Sequence, residues 1–188
     1  MTKSTRAQRD AAPLPGDPAP DREVAAMIRV DHAGEYGAKR IYQGQLAVLG
    51  KSRDAPALRR MARQEERHLE AFEKRIAERG VRPTFLFPLW HVGAYAMGYV
   101  TARMGEKAAM ACTEAVETVI DRHYADQAAR LGGREPALRK DIERFRAEEI
   151  EHRDMAIARG AREAPNYERL SRVIRGITQT AIKLSTRF

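Results

Sequence analysis

A chain of 188 residues that is 43% hydrophobic and 32% charged can bury one sizeable core, and is too polar for a multi-span membrane protein. Its 34 Lys and Arg against 26 Asp and Glu leave a net charge of +8, which suits an anionic partner such as lipid or nucleic acid, and equally an ordinary solvated Arg-rich surface. A single cysteine, Cys112, excludes an internal disulfide framework and any thiolate-rich metal site, so only His, Asp and Glu remain as metal ligands.

Residues 1–21 are basic and then carry Pro13, Pro15, Pro18 and Pro20 without an apolar run, which predicts a disordered tail before one domain over 22–188. Asp10, Asp17 and the prolines are unlike the acid-poor amphipathic helix of a transit peptide, so the chain is expected to stay in the cytoplasm. From Asp21 onward the apolar spacing is helical throughout. The first helix spans about 22–50, with Val24, Ile28, Asp31, Glu35, Tyr42 and Leu49 on one stripe before Gly50. A second, about 55–79, aligns Leu58, Met61, Glu65, His68 and Phe72. Residues 83–102 carry no formal charge; Pro83 and Pro88 leave about 14 residues for an unbroken helix, which predicts a greasy crossover or interfacial segment, or simple core packing. The third helix, about 106–131, aligns Met110, Glu117, Tyr124 and Leu131, and the fourth, about 136–159, aligns Leu138, Phe145, Glu149, His152 and Ala156. A last helix, about 167–187, sorts Leu170, Val173, Ile174, Ile177, Ala181 and Leu184 to one side and Arg169, Arg172, Arg175, Lys183 and Arg187 to the other, as an anionic lipid surface would favour.

Four long striped helices predict an all-α bundle. Each stripe is interrupted at mid-helix by a glutamate, and two of the glutamates are followed three residues on by a histidine, close enough on a helix to reach one point. The order repeats: Glu35, Tyr42 and Glu65-x-x-His68 match Glu117, Tyr124 and Glu149-x-x-His152, as an internal duplication would. Four carboxylates in a core would each cost on the order of several kcal/mol unless cations paired them. Two divalent metals meet that need, and oxygen and imidazole ligands without thiolate suit iron or manganese. The six candidate ligands are therefore Glu35, Glu65, His68, Glu117, Glu149 and His152. Glu66, Glu148 and Glu151 fall off the stripes and read as surface charges. Asp31, one turn before Glu35, is placed either behind a ligand histidine or at an exposed helix start. Tyr42 and Tyr124 are placed either beside the metals or as core filler, and His123 as a candidate substrate contact.

Single-Glu helices alternating with Glu-x-x-His helices form the ferritin-like di-iron arrangement. The segments Arg29-Val-Asp-His-Ala-Gly-Glu35-Tyr-Gly-Ala, Pro88-Leu-Trp90, Ala109-Met-Ala-Cys112-Thr and Phe145-Arg-Ala-Glu-Glu149-Ile-Glu-His152 resemble the demethoxyubiquinone hydroxylase family of ubiquinone biosynthesis, over about residues 23–188. The resemblance implies a ferritin-like four-helix bundle with a long crossover between its second and third helices and an added C-terminal amphipathic helix. It implies two ferrous ions per chain and a monooxygenase that hydroxylates a polyprenylated methoxy-methyl-benzoquinol with O2. The absent transit signal, with the uncharged stretch and the basic last helix, places the chain peripherally on the cytoplasmic face of a bacterial inner membrane as an expectation. Glu65 and Glu149 would bridge the irons, with Glu35 and His68 completing one and Glu117 and His152 the other.

An electron donor is required, and no dinucleotide-binding glycine fingerprint occurs, so a nicotinamide, a reductase partner and the quinol itself stay open, as do a biosynthetic protein complex and a homo-oligomer. Nucleic acid is not expected as a partner. The rival readings are a ferritin-like iron oxidase or peroxidase with the same six ligands, a di-iron tRNA hydroxylase, and a lipid-binding bundle without metal.

Overall fold

A computed structural model describes residues 21–188, so the predicted tail, apart from Asp21, lies outside the described residues. Asp21 is the N-cap of the first helix, its carboxylate accepting from the Glu23 and Val24 amides. Six helices follow: α1 (Arg22–Leu49), α2 (Ala55–Arg79), α3 (Phe87–Arg103), α4 (Glu106–Leu131), α5 (Pro136–Ala158) and α6 (Tyr167–Arg187), with one 3₁₀ turn at Ala161–Glu163. The described residues form no strand. Gly80, at φ 60°, closes α2 in the left-handed conformation that a side chain would strain, and returns its N–H to the Ile76 carbonyl.

The crossover takes up nearly the length of unbroken helix that its prolines leave free. It is itself a helix of 17 residues, because Pro88 lies in the first turn of α3, where an absent N–H forfeits no intrahelical bond. No described helix is long and apolar enough to cross a membrane.

The hairpins α1–α2 and α4–α5 make the bundle, while α3 lies along α1, and α6 lies along α4 and touches α1. These two added helices bury the back of α4, where every residue from Ala108 to Glu117 is buried. Ala108, Ala109, Ala111, Cys112 and Ala115 are small enough for neighbours to close in on all sides. Among the described residues, buried apolar side chains form three clusters, two of which lie toward opposite ends of the bundle. One holds Tyr42, Leu58, Met61, Met110 and Ala156; the other holds Ile28, Phe72, Leu131, Leu138 and Phe145. The glutamates and histidines of the stripes lie between them.

The α1–α3 crossing is so close that a methyl group on Gly98 would overlap the Ile41 carbonyl oxygen, and one on Gly44 the Tyr95 carbonyl oxygen. Gly98→Ala is therefore expected to push α3 outward and cost about 1–3 kcal/mol, in spite of alanine's better helix propensity. Thermal unfolding of the variant checks this, with a fall of about 2–4 °C per kcal/mol lost for a chain of this size.

Candidate metal centre

The mid-helix position of each stripe brings Glu35 from α1, Glu65 and His68 from α2, Glu117 from α4, and Glu149 and His152 from α5 into one buried layer. Their ligating atoms fall into two groups, each within 4.8 Å: Glu35, Glu65, His68 and Glu149, and Glu65, Glu117, Glu149 and His152. Glu65 and Glu149 belong to both. His68 Nδ1 lies 3.0 Å from Glu149 Oε1 and 3.4 Å from Glu35 Oε2. His152 Nδ1 lies 3.0 Å from Glu149 Oε2 and 3.1 Å from Glu65 Oε1.

The donor set fits a pair of divalent metals. Glu65 Oε1, His68 Nδ1 and Glu149 Oε1 are buried without a hydrogen-bond partner, and all three are aimed into the same space. No Lys or Arg is within ion-pair reach of Glu35, Glu65, Glu117 or Glu149 among the described residues. Two divalent cations would balance the four carboxylates, and the oxygen-and-nitrogen ligand set suits first-row metals such as iron or manganese.

Protons serve in their stead when metal is absent. Burial, aided by the charge of Glu149, holds the carboxyls of Glu65 and Glu117 well above the usual range, so they stay protonated. Burial disfavours the His68 cation, yet Glu35 and Glu149 outweigh it and push the imidazole up to about 12. His152 is raised in the same way, burial opposing and Glu149 prevailing. Glu149 is buried too, but the hydrogen bond from His152 and the charge of the His68 imidazolium bring it down to about 2. Groups protonated at pH 7 in the metal-free protein must give up those protons to ligate. Uptake of ferrous iron is thus expected to release about one proton or more per metal, and its affinity to fall as pH falls. Anaerobic titration in weakly buffered solution with a pH indicator checks this; uptake without acidification would contradict it.

Two tyrosines cross between the halves. Tyr42 O–H donates to Glu117 Oε1 at 3.0 Å, and Tyr124 O–H donates to Glu35 Oε1. Burial and the adjacent carboxylates hold both phenols well above 10, so they remain donors. Both predicted placements hold: each ring packs in an apolar cluster of the core while its hydroxyl reaches a carboxylate.

Asp31 does not back a ligand histidine, nor is it an exposed helix start. It is buried and accepts from Gln127 Nε2 at 2.7 Å, with His123 Nε2 at 3.1 Å from the same oxygen. Glu148 is likewise not the surface charge its register suggests. Glu66 and Glu151 are exposed, but Glu148 is half-buried and its Oε2 lies 3.2 Å from His68 Nε2. The α5 flank that leads away from the metal layer leads toward α2.

Above the carboxylates lies a cavity of about 360 Å³. Glu35, Glu65, Glu117 and Glu149 reach its lining, Asp31, His123 and Tyr124 share it, and Leu89, Met97, Ile177 and Ile182 bring it to α3 and α6. Gly34, Gly37 and Ala38 on α1, with Gly93 and Ala94 on α3, leave the space open by being small. The exposed large hydrophobic residues gather around the same two helices: Phe85, Leu89, Val92, Tyr99, Val100 and Met104 about α3, and Val173, Ile177 and Phe188 about α6.

Residues 22–185 match the family described as Ubiquinone biosynthesis protein COQ7. The 3-demethoxyubiquinol 3-hydroxylase of Rhodospirillum rubrum is 54% identical over 175 residues, which cover 93% of this chain and 82% of that protein. The human NADPH-dependent 3-demethoxyubiquinone 3-hydroxylase, mitochondrial, is 45% identical over 87% of this chain and 77% of its own length. Its counterpart in Caenorhabditis elegans is 39% identical over 86% and 89%.

Proposed function

Because the chain belongs to the ubiquinone biosynthesis protein COQ7 family, we propose that it hydroxylates a demethoxyubiquinol ring with O2 at two ferrous ions. Glu35, Glu65 and His68 from one hairpin and Glu117, Glu149 and His152 from the other would hold the ions, Glu65 and Glu149 being shared. The observation that carries this reading is the apolar cavity whose lining includes all four carboxylates. A ferritin-like iron oxidase has no need of it. Ferrous iron, when bound, supplies electrons and open coordination positions for activating O2.

The protein's own residues set where the ring lies. Asp31 and Gln127 fix the His123 imidazole at the cavity wall, where it can hydrogen-bond a ring oxygen. The apolar walls exclude water from the reacting layer. Tyr42 and Tyr124 hold Glu117 and Glu35 in place through donated hydrogen bonds. Overall, one oxygen atom of O2 enters the ring and the other leaves as water, which consumes two electrons and two protons from an external donor.

The polyprenyl chain would leave between α3 and α6 into lipid. Val173 and Ile177 are exposed on the same helix as the exposed Arg169, Arg172, Lys183 and Arg187, which favours peripheral contact with an anionic membrane. The protein is expected to sediment with anionic vesicles and to dissociate in high salt. Reversing Arg172, Lys183 and Arg187 to Glu is expected to weaken binding by at least about a hundredfold, since each basic residue near such a surface contributes about 1 kcal/mol. Equal sedimentation of wild type and triple variant would remove α6 from the contact.

The test of the function is aerobic incubation of the reduced, iron-loaded protein with a short-chain demethoxyubiquinol, the product being read by mass spectrometry. One added oxygen on the ring is expected; an unchanged quinol beside consumed O2 would favour an iron oxidase.

A further inference from the structure

The internal repeat that aligns Glu65 with Glu149 and His68 with His152 also aligns the residues just before those glutamates, Gln64 and Glu148. There the repeat is broken chemically. Each of these side chains lies behind the histidine of the opposite half: Glu148 Oε2 is 3.2 Å from His68 Nε2, and Gln64 Oε1 is 3.1 Å from His152 Nε2. Both imidazoles present Nδ1 to the carboxylate layer and Nε2 outward, so an imidazole that ligates a metal through Nδ1 would keep its proton on Nε2 and donate it outward. Only the Gln64 carbonyl oxygen can accept from His152, which leaves its amide to donate to Glu148 Oε2, at 3.1 Å. Arg67 stands 3.5 Å from the same oxygen.

We infer that Glu148 and Gln64 are positioning residues that make the two metal positions unequal, the His68 position filling first because a carboxylate backs its imidazole where an amide backs that of His152. A proton donated to a carboxylate leaves the imidazole a stronger donor through its other nitrogen than one donated to a neutral amide. The carboxylate also fixes the ring more firmly against rotation. The inference rests on the six-ligand reading of the metal centre.

Titration of the metal-free full chain with cobalt(II), followed by its visible absorption, tests it. Wild type is expected to bind two ions in two resolved steps. Glu148→Gln keeps the acceptor and the shape but removes the charge, and is expected to weaken the first step by about ten- to a hundredfold, merging it with the second. Gln64→Glu places a carboxylate behind His152 but also removes the amide that donates to Glu148 Oε2, so it is expected to tighten the second step relative to the first and draw the two together. Because both substitutions are nearly isosteric and lie outside the ligand set, circular dichroism is expected to match wild type. Two resolved wild-type steps that Glu148→Gln leaves unmoved, or shifts equally, would overturn the inequality alone. A wild type that binds no cobalt would overturn the metal centre with it.

Discussion

Replacing Glu149 by alanine is expected to lower bound metal to less than half of the wild-type content and to reduce hydroxylation by more than about a hundredfold, the upper end of what losing a mere outer-sphere partner costs. Glu149 belongs to both ligand groups and stands 3.0 Å from each ligand imidazole, so its loss empties a shared position and strands two histidines. Glu65→Ala is expected to act alike on metal and turnover. It removes a carboxyl that burial already keeps neutral, so the metal-free variant should stay folded. The neighbour Glu66 pairs with Lys39 at 2.8 Å on the surface, where such a bridge contributes about 0–1 kcal/mol. Glu66→Ala should keep metal and activity. Metal analysis beside the product assay separates the pair; a dead Glu66→Ala with an active Glu65→Ala would reverse the helical phase of α2.

Gly34→Leu is expected to retain both metals while hydroxylation falls by at least about tenfold. A side chain begun at Gly34 meets nothing within 4 Å, because the residue faces the cavity above the carboxylates. The bundle can therefore accept the leucine, and the exchange of a mid-helix glycine is worth about 0.8 kcal/mol of helix propensity. The cavity cannot then hold a ring in the same place, and a displacement of about 1 Å from a reacting geometry can cost about a hundredfold. Thermal unfolding no lower than wild type, unchanged metal content and lost turnover are the expected combination. Normal turnover would mean that the ring binds elsewhere.

The buried layer of glutamates and histidines was legible in the sequence because two independent regularities coincide there: a helical period that assigns burial, and carboxylates that break the period at matching places in both halves. Helix ends were legible for similar reasons, Gly80 and Pro136 standing where a helix must stop or can start. The extent of α3 was legible because Pro88 bounds the uncharged run and suits a helix's first turn, but a helix apolar on every side carries no stripe to say which face packs on α1. A stripe gives depth, not the identity of the neighbour across the gap. Hence Asp31 stands one turn before Glu35 as its register requires, yet meets His123 and Gln127 and fits neither expected role, and Glu148, off the stripe of α5, meets His68 of α2 instead of solvent. The buried back of α4 was hidden because its small residues carry little hydrophobic signal. The cavity was equally hidden, since Gly34, Gly37 and Ala38 mark it by what they lack.

The most direct measurement is the number of ferrous ions that the metal-free chain takes up under anaerobic conditions. Two ligand groups sharing Glu65 and Glu149 predict saturation near two per chain, with the loss of either shared glutamate lowering that number. Saturation near one, or no uptake, would contradict the two-metal centre on which the proposed hydroxylation depends.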